Sequence, residues 1–215
     1  MSGLSKDLIL HQNIINQSIL KPIYNTLEFY LDFNCPFSAK IFKSINQYLI
    51  PILHENQIQT SLIIRQVPQP WHHASTFTHQ ASLAVSKLLL QSNQSQEELV
   101  HKQWKWFTEL FEKQTEYFDE PTLNETPIVT KQRLSELVFK TLDLNQQTFL
   151  DLVSLNGVGN AGTKVDQTLK SCVRYARQNG VHVTPTVAFN GIIDPSISSS
   201  FVKEDWEKFI KEKFN

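Results

Sequence analysis

The segment that most constrains this chain is a strand that passes directly into a helix, with a lone cysteine, Cys35, at the junction. Apolar and more polar side chains alternate over residues 27–34, a period of two that predicts a strand. Apolar residues then recur at helical spacing over residues 41–52. Pro36 suits the first turn of a helix, because its missing N–H would be unpaired there anyway. We therefore expect a helix that begins at Cys35 or one residue later.

This position bears on the chemistry of Cys35. A thiolate at a helix N-terminus faces unpaired backbone N–H groups and the positive end of the helix dipole, which stabilise its charge. Cys35 is therefore a candidate nucleophile at neutral pH. The alternative is that Cys35 is a small apolar residue that closes the strand, since free cysteine is among the most buried residue types. This segment alone leaves both interpretations open.

A second informative segment, GVHVTPTVAFNG, occupies residues 180–191. Its pattern predicts a strand from about Val183 to Phe189 that contains Pro185. Proline is unusual inside a strand, because it has no N–H to donate to a neighbouring strand. It is tolerated where no strand pairs with that edge. A cis peptide bond before Pro185 would leave that edge open, and the backbone of Thr184 would then be free to pair with an incoming peptide.

The two segments together resemble the DsbA-type branch of the thioredoxin superfamily. The shared features are the strand, Cys-Pro-aromatic-x and helix in one segment, and Gly-Val-x-x-Thr-Pro-Thr followed by Asn-Gly in the other. The resemblance implies an α/β protein with a thioredoxin-like fold and a helical insertion between an N-terminal βαβ unit and a C-terminal ββα unit. It assigns residues 1–70 and 166–215 to the two parts of the thioredoxin-like domain and residues 71–165 to the insertion.

The same resemblance implies the site residues. The catalytic pair would be Cys35 and Ser38, and the substrate-binding residues would be Pro36, Phe37, Thr184 and Pro185, with Pro185 cis and packed against Cys35. Ser38 could donate a hydrogen bond to the thiolate, which would favour the charged form. It could equally be an ordinary residue of the first helical turn.

Ser38 stands where the dithiol enzymes of this family have a second cysteine. Without that thiol, a mixed disulfide at Cys35 cannot be released from within the motif, so dithiol oxidase activity is not expected. Exchange with a single cysteine remains open, because an external thiol can resolve the adduct. The resemblance suggests glutathione as a co-substrate in that role, with no tightly bound cofactor.

The segment LEFYLDFNCPFSAK is also similar to the kappa-class glutathione transferases and the 2-hydroxychromene-2-carboxylate isomerases. In that group a serine usually stands in the place of Cys35. Three functions therefore remain open. They are a thiol-disulfide oxidoreductase with one nucleophilic cysteine, a glutathione transferase or isomerase, and a non-catalytic module that binds a peptide along the Thr184 edge.

The second cysteine, Cys172, belongs to an apolar stripe at helical spacing and is predicted to point into the core. Two cysteines provide neither a disulfide framework nor a zinc ligand pattern, and they favour a reducing compartment. Three histidines, His72, His73 and His79, are candidate metal ligands. His72 and His73 are adjacent and should diverge, and no matching cysteine or carboxylate set accompanies them and His79, so no metal site is expected. An imidazole here could instead move a proton or bind a carboxylate of glutathione, or simply pack.

Asp32 has two candidate roles. It could cap backbone N–H groups at the junction, or it could accept the proton of the nucleophile.

The net charge of −1 gives no strong attraction to nucleic acid or to a membrane surface. The first twenty residues lack a continuous apolar stretch after a basic start, so we expect no signal peptide and a cytoplasmic protein.

Overall fold

The structure, a computed structural model, describes residues 25–214. Its centre is a four-stranded mixed sheet with the strand order β2-β1-β3-β4. Strand β1 is parallel to β2 and antiparallel to β3, and β3 is antiparallel to β4. The strands are β1 (Asn25–Leu31), β2 (Thr60–Gln66), β3 (Thr186–Phe189) and β4 (Ile192–Ile193). The expectation about a signal peptide lies outside the described residues.

The helix after β1 continues through a change of hydrogen-bond pattern. It comprises α1 (Pro36–Ser44), a π-helical turn (Ile45–Leu49) and α2 (Ile50–Glu55). The turn ends two residues before Pro51, which has no N–H to donate and would clash with a carbonyl one turn earlier in a regular α-helix. A wider turn relieves this conflict, and the Ile50 N–H bonds to the Ile45 carbonyl five residues before it.

A layer of helices separates the first βαβ unit from the second part of the sheet. It consists of α3 (Ser75–Leu90), α4 (Gln96–Glu112), a 3-10 turn (Gln114–Tyr117), α5 (Asp119–Thr122), α6 (Pro127–Leu142) and α7 (Gln146–Val153). Helix α8 (Asp166–Gln178) precedes β3, and α9 (Lys203–Lys213) follows β4. The order of βαβ unit, helices and ββα unit is the α/β architecture that the sequence predicted.

Two local predictions differ from the structure. Strand β3 begins at Thr186 and not at about Val183. Its ladder with β1 starts at the Tyr30 and Thr186 pair, and Pro185 just before it has no N–H to add to that ladder. Because serine and threonine often cap helices, the sequence predicts Ser75 or Thr76 as the cap of α3, but the N-cap is Ala74. The Ser75 hydroxyl instead donates to Asp32 Oδ1 at 2.7 Å.

The sheet is covered on both faces. On one face, the buried Phe33 packs against Phe107 and Phe111 of α4, with ring centroids 5.5 and 5.3 Å away. Phe29 meets the edge of Trp206 from α9 on the same face. These contacts attach the helical layer and the last helix to β1, the strand that leads to Cys35.

The other face of the sheet packs against α8. There Arg65 of β2 pairs with Glu28 of β1 at 2.6 Å, and Tyr175 of α8 lies under the guanidinium group. Cys172 is buried as predicted, and burial raises the pKa of its thiol to about 12. Among residues 25–214, no helix is both long and apolar enough to cross a bilayer.

Candidate active site

Cys35 is the N-cap residue of α1, in agreement with the predicted helix start. Its backbone is extended (φ −86°, ψ 120°), and its N–H donates to the Asp32 carbonyl at 3.0 Å. Pro36 occupies the start of the helix. The tight turn between β1 and α1 therefore holds the sulfur at the end of the helix where unpaired N–H groups point outward. Only 4% of Cys35 is exposed.

The structure brings the second predicted segment to this sulfur. Cys35 Sγ donates to the Thr184 carbonyl oxygen at 3.3 Å, although 149 positions separate the two residues. The peptide bond between Thr184 and Pro185 is cis. The hydroxyl of Thr184 is buried, and it has no hydrogen-bond partner within the described part of the chain.

Ser38 takes part in the turn and not in a contact with the sulfur. It is fully buried, and its Oγ accepts the Asp32 N–H at 3.2 Å. The Ser38 hydroxyl makes no hydrogen bond to Cys35 Sγ in this structure and instead accepts one from the end of β1. The reason is that the Asp32 amide, one residue beyond β1, lies within reach of the first turn of α1. Pro36 and Phe37 are exposed next to the sulfur, and Phe37 presents 62% of its surface to solvent.

Beneath the turn lies the Asp32 carboxylate, which is fully buried. Its donors are the Asn34 and Gln69 backbone N–H groups, the Ser75 hydroxyl and the rings of His72 and His79. Burial alone would raise the pKa of Asp32, but the hydrogen bonds and charge of His79, with the bonds from His72 and the Asn34 amide, lower it to about 2. Asp32 therefore caps backbone groups, as one interpretation predicted, and stays ionised.

The three neighbouring histidines have different environments. His79 is fully buried, with Nδ1 3.2 Å from Gln66 Oε1 and Nε2 3.3 Å from Asp32 Oδ1. The His72 side chain is 21% exposed, and its Nδ1 lies 2.7 Å from Asp32 Oδ2. His73 is exposed, and its backbone N–H donates to Asp119 Oδ1. In residues 25–214, no cluster of three histidine, cysteine or acidic side chains could hold a metal ion.

The helical layer fixes the Asp32-to-Cys35 turn through polar side chains that the sequence analysis did not single out. Thr78 donates to the Asn34 amide oxygen at 2.7 Å, and the Asn34 amide nitrogen donates to the Tyr117 carbonyl at 2.6 Å. Gln114 donates to the Phe33 carbonyl at 2.9 Å and reaches the Cys35 carbonyl at 3.4 Å. Isolated polar residues in helices give no periodic signal, so only the fold reveals these contacts.

A cleft of ≈ 490 Å³ opens beside the turn, and we call it the His72 cleft. It is lined by Asn34, Pro36, His72, Thr115, Phe118, Asp119, Glu120 and Pro121. Asn34 and Pro36 are the neighbours of Cys35 in the chain, so the cleft opens beside the turn that carries Cys35. The exposed ring of Trp71 stands next to His72, with the ring centroids 6.2 Å apart.

Comparison with known proteins gives matches among solved structures only. No protein-family model and no curated protein matches the chain. A protein from Pseudomonas syringae that is assigned as a protein-disulfide isomerase is 25% identical and has a TM-score of 0.64. This alignment covers 87% of the present chain and 93% of the other.

Two further structures align over 89% of the chain at 18% identity. They are the thiol-disulfide exchange protein alpha-DsbA2 from Wolbachia pipientis, with a TM-score of 0.59 and 83% of its length covered, and oxidised BdbD from Bacillus subtilis, with a TM-score of 0.55 and 88% covered. The architecture, the Cys35-to-Thr184 contact and these neighbours lead to one conclusion. The chain has the thioredoxin-like fold of DsbA-type proteins.

Proposed function

We propose that this chain is a thiol-disulfide oxidoreductase of the DsbA type that works with one nucleophilic cysteine. The observation that carries the proposal is the position of Cys35 Sγ, at the N-terminus of α1 and 3.3 Å from the Thr184 carbonyl. A helix N-terminus stabilises a thiolate, and the backbone of Thr184 can hold the partner of the sulfur. The exposed Phe37, two residues after Cys35, and the exposed Trp71, next to His72, supply apolar contact area.

The reaction has two exchange steps. In the first, the Cys35 thiolate attacks a substrate disulfide, forms a mixed disulfide and releases the other substrate sulfur as a thiolate. In the second, an external thiol attacks the substrate sulfur of that adduct, forms a new disulfide and releases Cys35. Ser38 cannot carry out this second step, because it has no sulfur. We propose glutathione as the external thiol, in keeping with the two free cysteines and a reducing compartment such as the cytoplasm.

The pH dependence of alkylation tests the first step. The rate at which iodoacetamide alkylates Cys35 is measured against pH in a Cys172→Ser background, with and without glutathione. The control is Cys35→Ser in the same background. We expect rapid alkylation at neutral pH and slower alkylation when glutathione is bound. A Cys35 that reacts no faster than an ordinary free thiol and ignores glutathione would rule the proposal out.

One observation favours a second candidate, a non-catalytic module that binds a peptide. Cys35 is almost fully buried, and its thiol is hydrogen-bonded to Thr184. A module of this kind would keep Cys35 inert and use the backbone next to Pro185 for binding. Incubation with oxidised glutathione separates the two candidates, because only the oxidoreductase forms a mixed disulfide at Cys35 that intact-protein mass spectrometry detects.

A further inference from the structure

We propose that His72 is the general base for the external thiol that resolves the mixed disulfide at Cys35, and that Asp32 positions its ring. The inference rests on the proposed function. It concerns the second exchange step, for which Ser38 supplies no thiol. His72 would then be a catalytic residue, because it touches the incoming thiol, and Asp32 would be a positioning residue.

The contact with Asp32 fixes the chemistry of the two His72 nitrogens. Nδ1 is 2.7 Å from Asp32 Oδ2, and a carboxylate that stays ionised can only accept a hydrogen bond there. The proton of the neutral ring is therefore on Nδ1, and Nε2 carries the lone pair. Such a ring is oriented to take a proton at Nε2, as an imidazole held by a carboxylate does in other nucleophilic sites.

His72 is also the histidine that can meet a thiol from solvent. Its ring lines the His72 cleft together with Asn34 and Pro36, the two neighbours of Cys35. His79 shares Asp32 with it but is fully buried, and both of its ring nitrogens already face oxygen atoms. A thiol that enters the cleft therefore approaches the turn that carries Cys35 and meets a partly exposed imidazole there.

The step balances without an oxidant or a reductant. The external thiol gives its proton to His72 Nε2 as its sulfur attacks the substrate sulfur of the mixed disulfide. A new disulfide forms, the bond between the substrate sulfur and Cys35 breaks, and Cys35 leaves as a thiolate. The imidazolium then returns the proton to solvent or to Cys35, which can again donate to the Thr184 carbonyl.

The charged groups around His72 are mainly acidic. The ionised Asp32 lies beneath the ring, with His79 on its far side, and Asp119 and Glu120 line the same cleft. Cys35 leaves as a further negative charge. A transient imidazolium is thus surrounded mainly by negative groups, which stabilise it.

The test isolates the second step. The Cys172→Ser variant is first incubated with oxidised glutathione, which leaves glutathione bound to Cys35 as a mixed disulfide. The release of this glutathione is then measured over time by acid quench and intact-protein mass spectrometry. Two resolving thiols are compared, namely 2-mercaptoethanol, which is mostly protonated at neutral pH, and the more acidic trifluoroethanethiol. We expect His72→Gln to slow release by 2-mercaptoethanol about 10²-fold. Release by trifluoroethanethiol, once it is ionised, should change little.

His73→Gln is the matched control, because it removes an adjacent exposed imidazole whose ring has no part in the proposed step. Thermal unfolding of both variants checks that the fold is intact. Equal slowing with both thiols, or equal slowing in both variants, would overturn the role of His72 while leaving the proposed function in place. If the chain that keeps His72 forms no mixed disulfide with glutathione at Cys35, the proposed function itself is overturned.

Discussion

Among single residues, the Asp32 carboxylate organises most of the site. It is fully buried, yet backbone, hydroxyl and imidazole donors surround it and hold its pKa at about 2. An unpaired carboxylate at this depth would be protonated or would destabilise the fold. The donors come from the β1-to-α1 turn, the loop after β2 and helix α3, so one charge joins three parts of the structure.

This arrangement predicts how stability depends on pH. The ordinary pKa of an aspartate is 3.8, and the folded-state value of about 2 is lower. Asp32 therefore contributes stability above pH ~4, worth about 2 kcal/mol, and this contribution is lost as the pH falls towards 2. We expect Asp32→Asn to lower the free energy of unfolding at pH 7 by about 3 kcal/mol. The NH₂ group of the new amide would face the N–H and O–H donors that now bond to the carboxylate.

Urea unfolding at several pH values checks this prediction. The difference between the original chain and the Asp32→Asn variant should shrink as the pH drops through the acid range. Asp151→Asn is a suitable control, since this aspartate lies on the exposed side of α7. A difference that stays constant from pH 7 to pH 2 would contradict the assigned charge.

At this scale, the sequence predicted the residues with a local signature and missed those without one. Cys35 and Pro185 stood out because a cysteine at a strand-to-helix junction and a proline in a strand are both unusual. Gln114 and Thr78 lie in helical stretches where a polar residue is ordinary. Their contacts with the turn depend on how the helical layer docks, which no single segment specifies.

At the scale of elements, helix α1 determines both what the motif can do and what it lacks. Position 38 is three residues beyond the N-cap Cys35, so the two side chains share one side of the first turn. In this chain the position holds a hydroxyl that fixes the turn. A thiol at the same place would be near enough to attack a disulfide at Cys35.

We therefore expect Ser38→Cys to convert the chain into a dithiol exchanger. A mixed disulfide at Cys35 should then be released without any added thiol, with a lifetime at least about tenfold shorter, because the second thiol attacks within the molecule. Ser44→Cys, at the other end of α1, controls for an added thiol in the same helix. An adduct that persists in Ser38→Cys as long as in this control would contradict the expected geometry.

The element boundaries followed the sequence wherever periodicity was strong. Apolar spacing in the sequence predicts helices from about Ser75 to Leu90 and from Lys203 to Phe214, and both helices are present. The start of β3 was predicted too early, since apolar alternation continues through Pro185 while the hydrogen-bond ladder cannot. The π-helical turn before Pro51 was not predicted either, because its hydrogen bonds leave no mark on the spacing of apolar residues.

At the scale of the whole molecule, a net charge of −1 conceals an uneven distribution. Asp119 and Glu120 line the His72 cleft, whereas Lys170, Arg174 and Arg177 of α8 line another cleft of ≈ 580 Å³. Charge near the reacting sulfur affects the rate at which charged disulfides approach. The acidic lining should therefore disfavour anionic partners such as glutathione relative to cationic ones.

The double variant Asp119→Asn and Glu120→Gln tests this effect. We expect the rate of adduct formation with oxidised glutathione, relative to the cationic disulfide cystamine, to rise about tenfold at low salt. The increase should fade in ~1 M salt, where charges are screened. Lys170→Gln with Arg174→Gln in the other cleft is the control, and a fall of equal size there would mean that only net charge matters.

The position of Cys35 links its reactivity to the completeness of folding. Its sulfur contacts Thr184 near the end of the chain, and its turn is held by Thr78, Gln114 and Tyr117 of the helical layer. A chain that had assembled β1 and β2 but had not docked these groups would expose the thiol to any disulfide nearby. The accessibility of this one sulfur would therefore report whether these distant parts of the chain have docked.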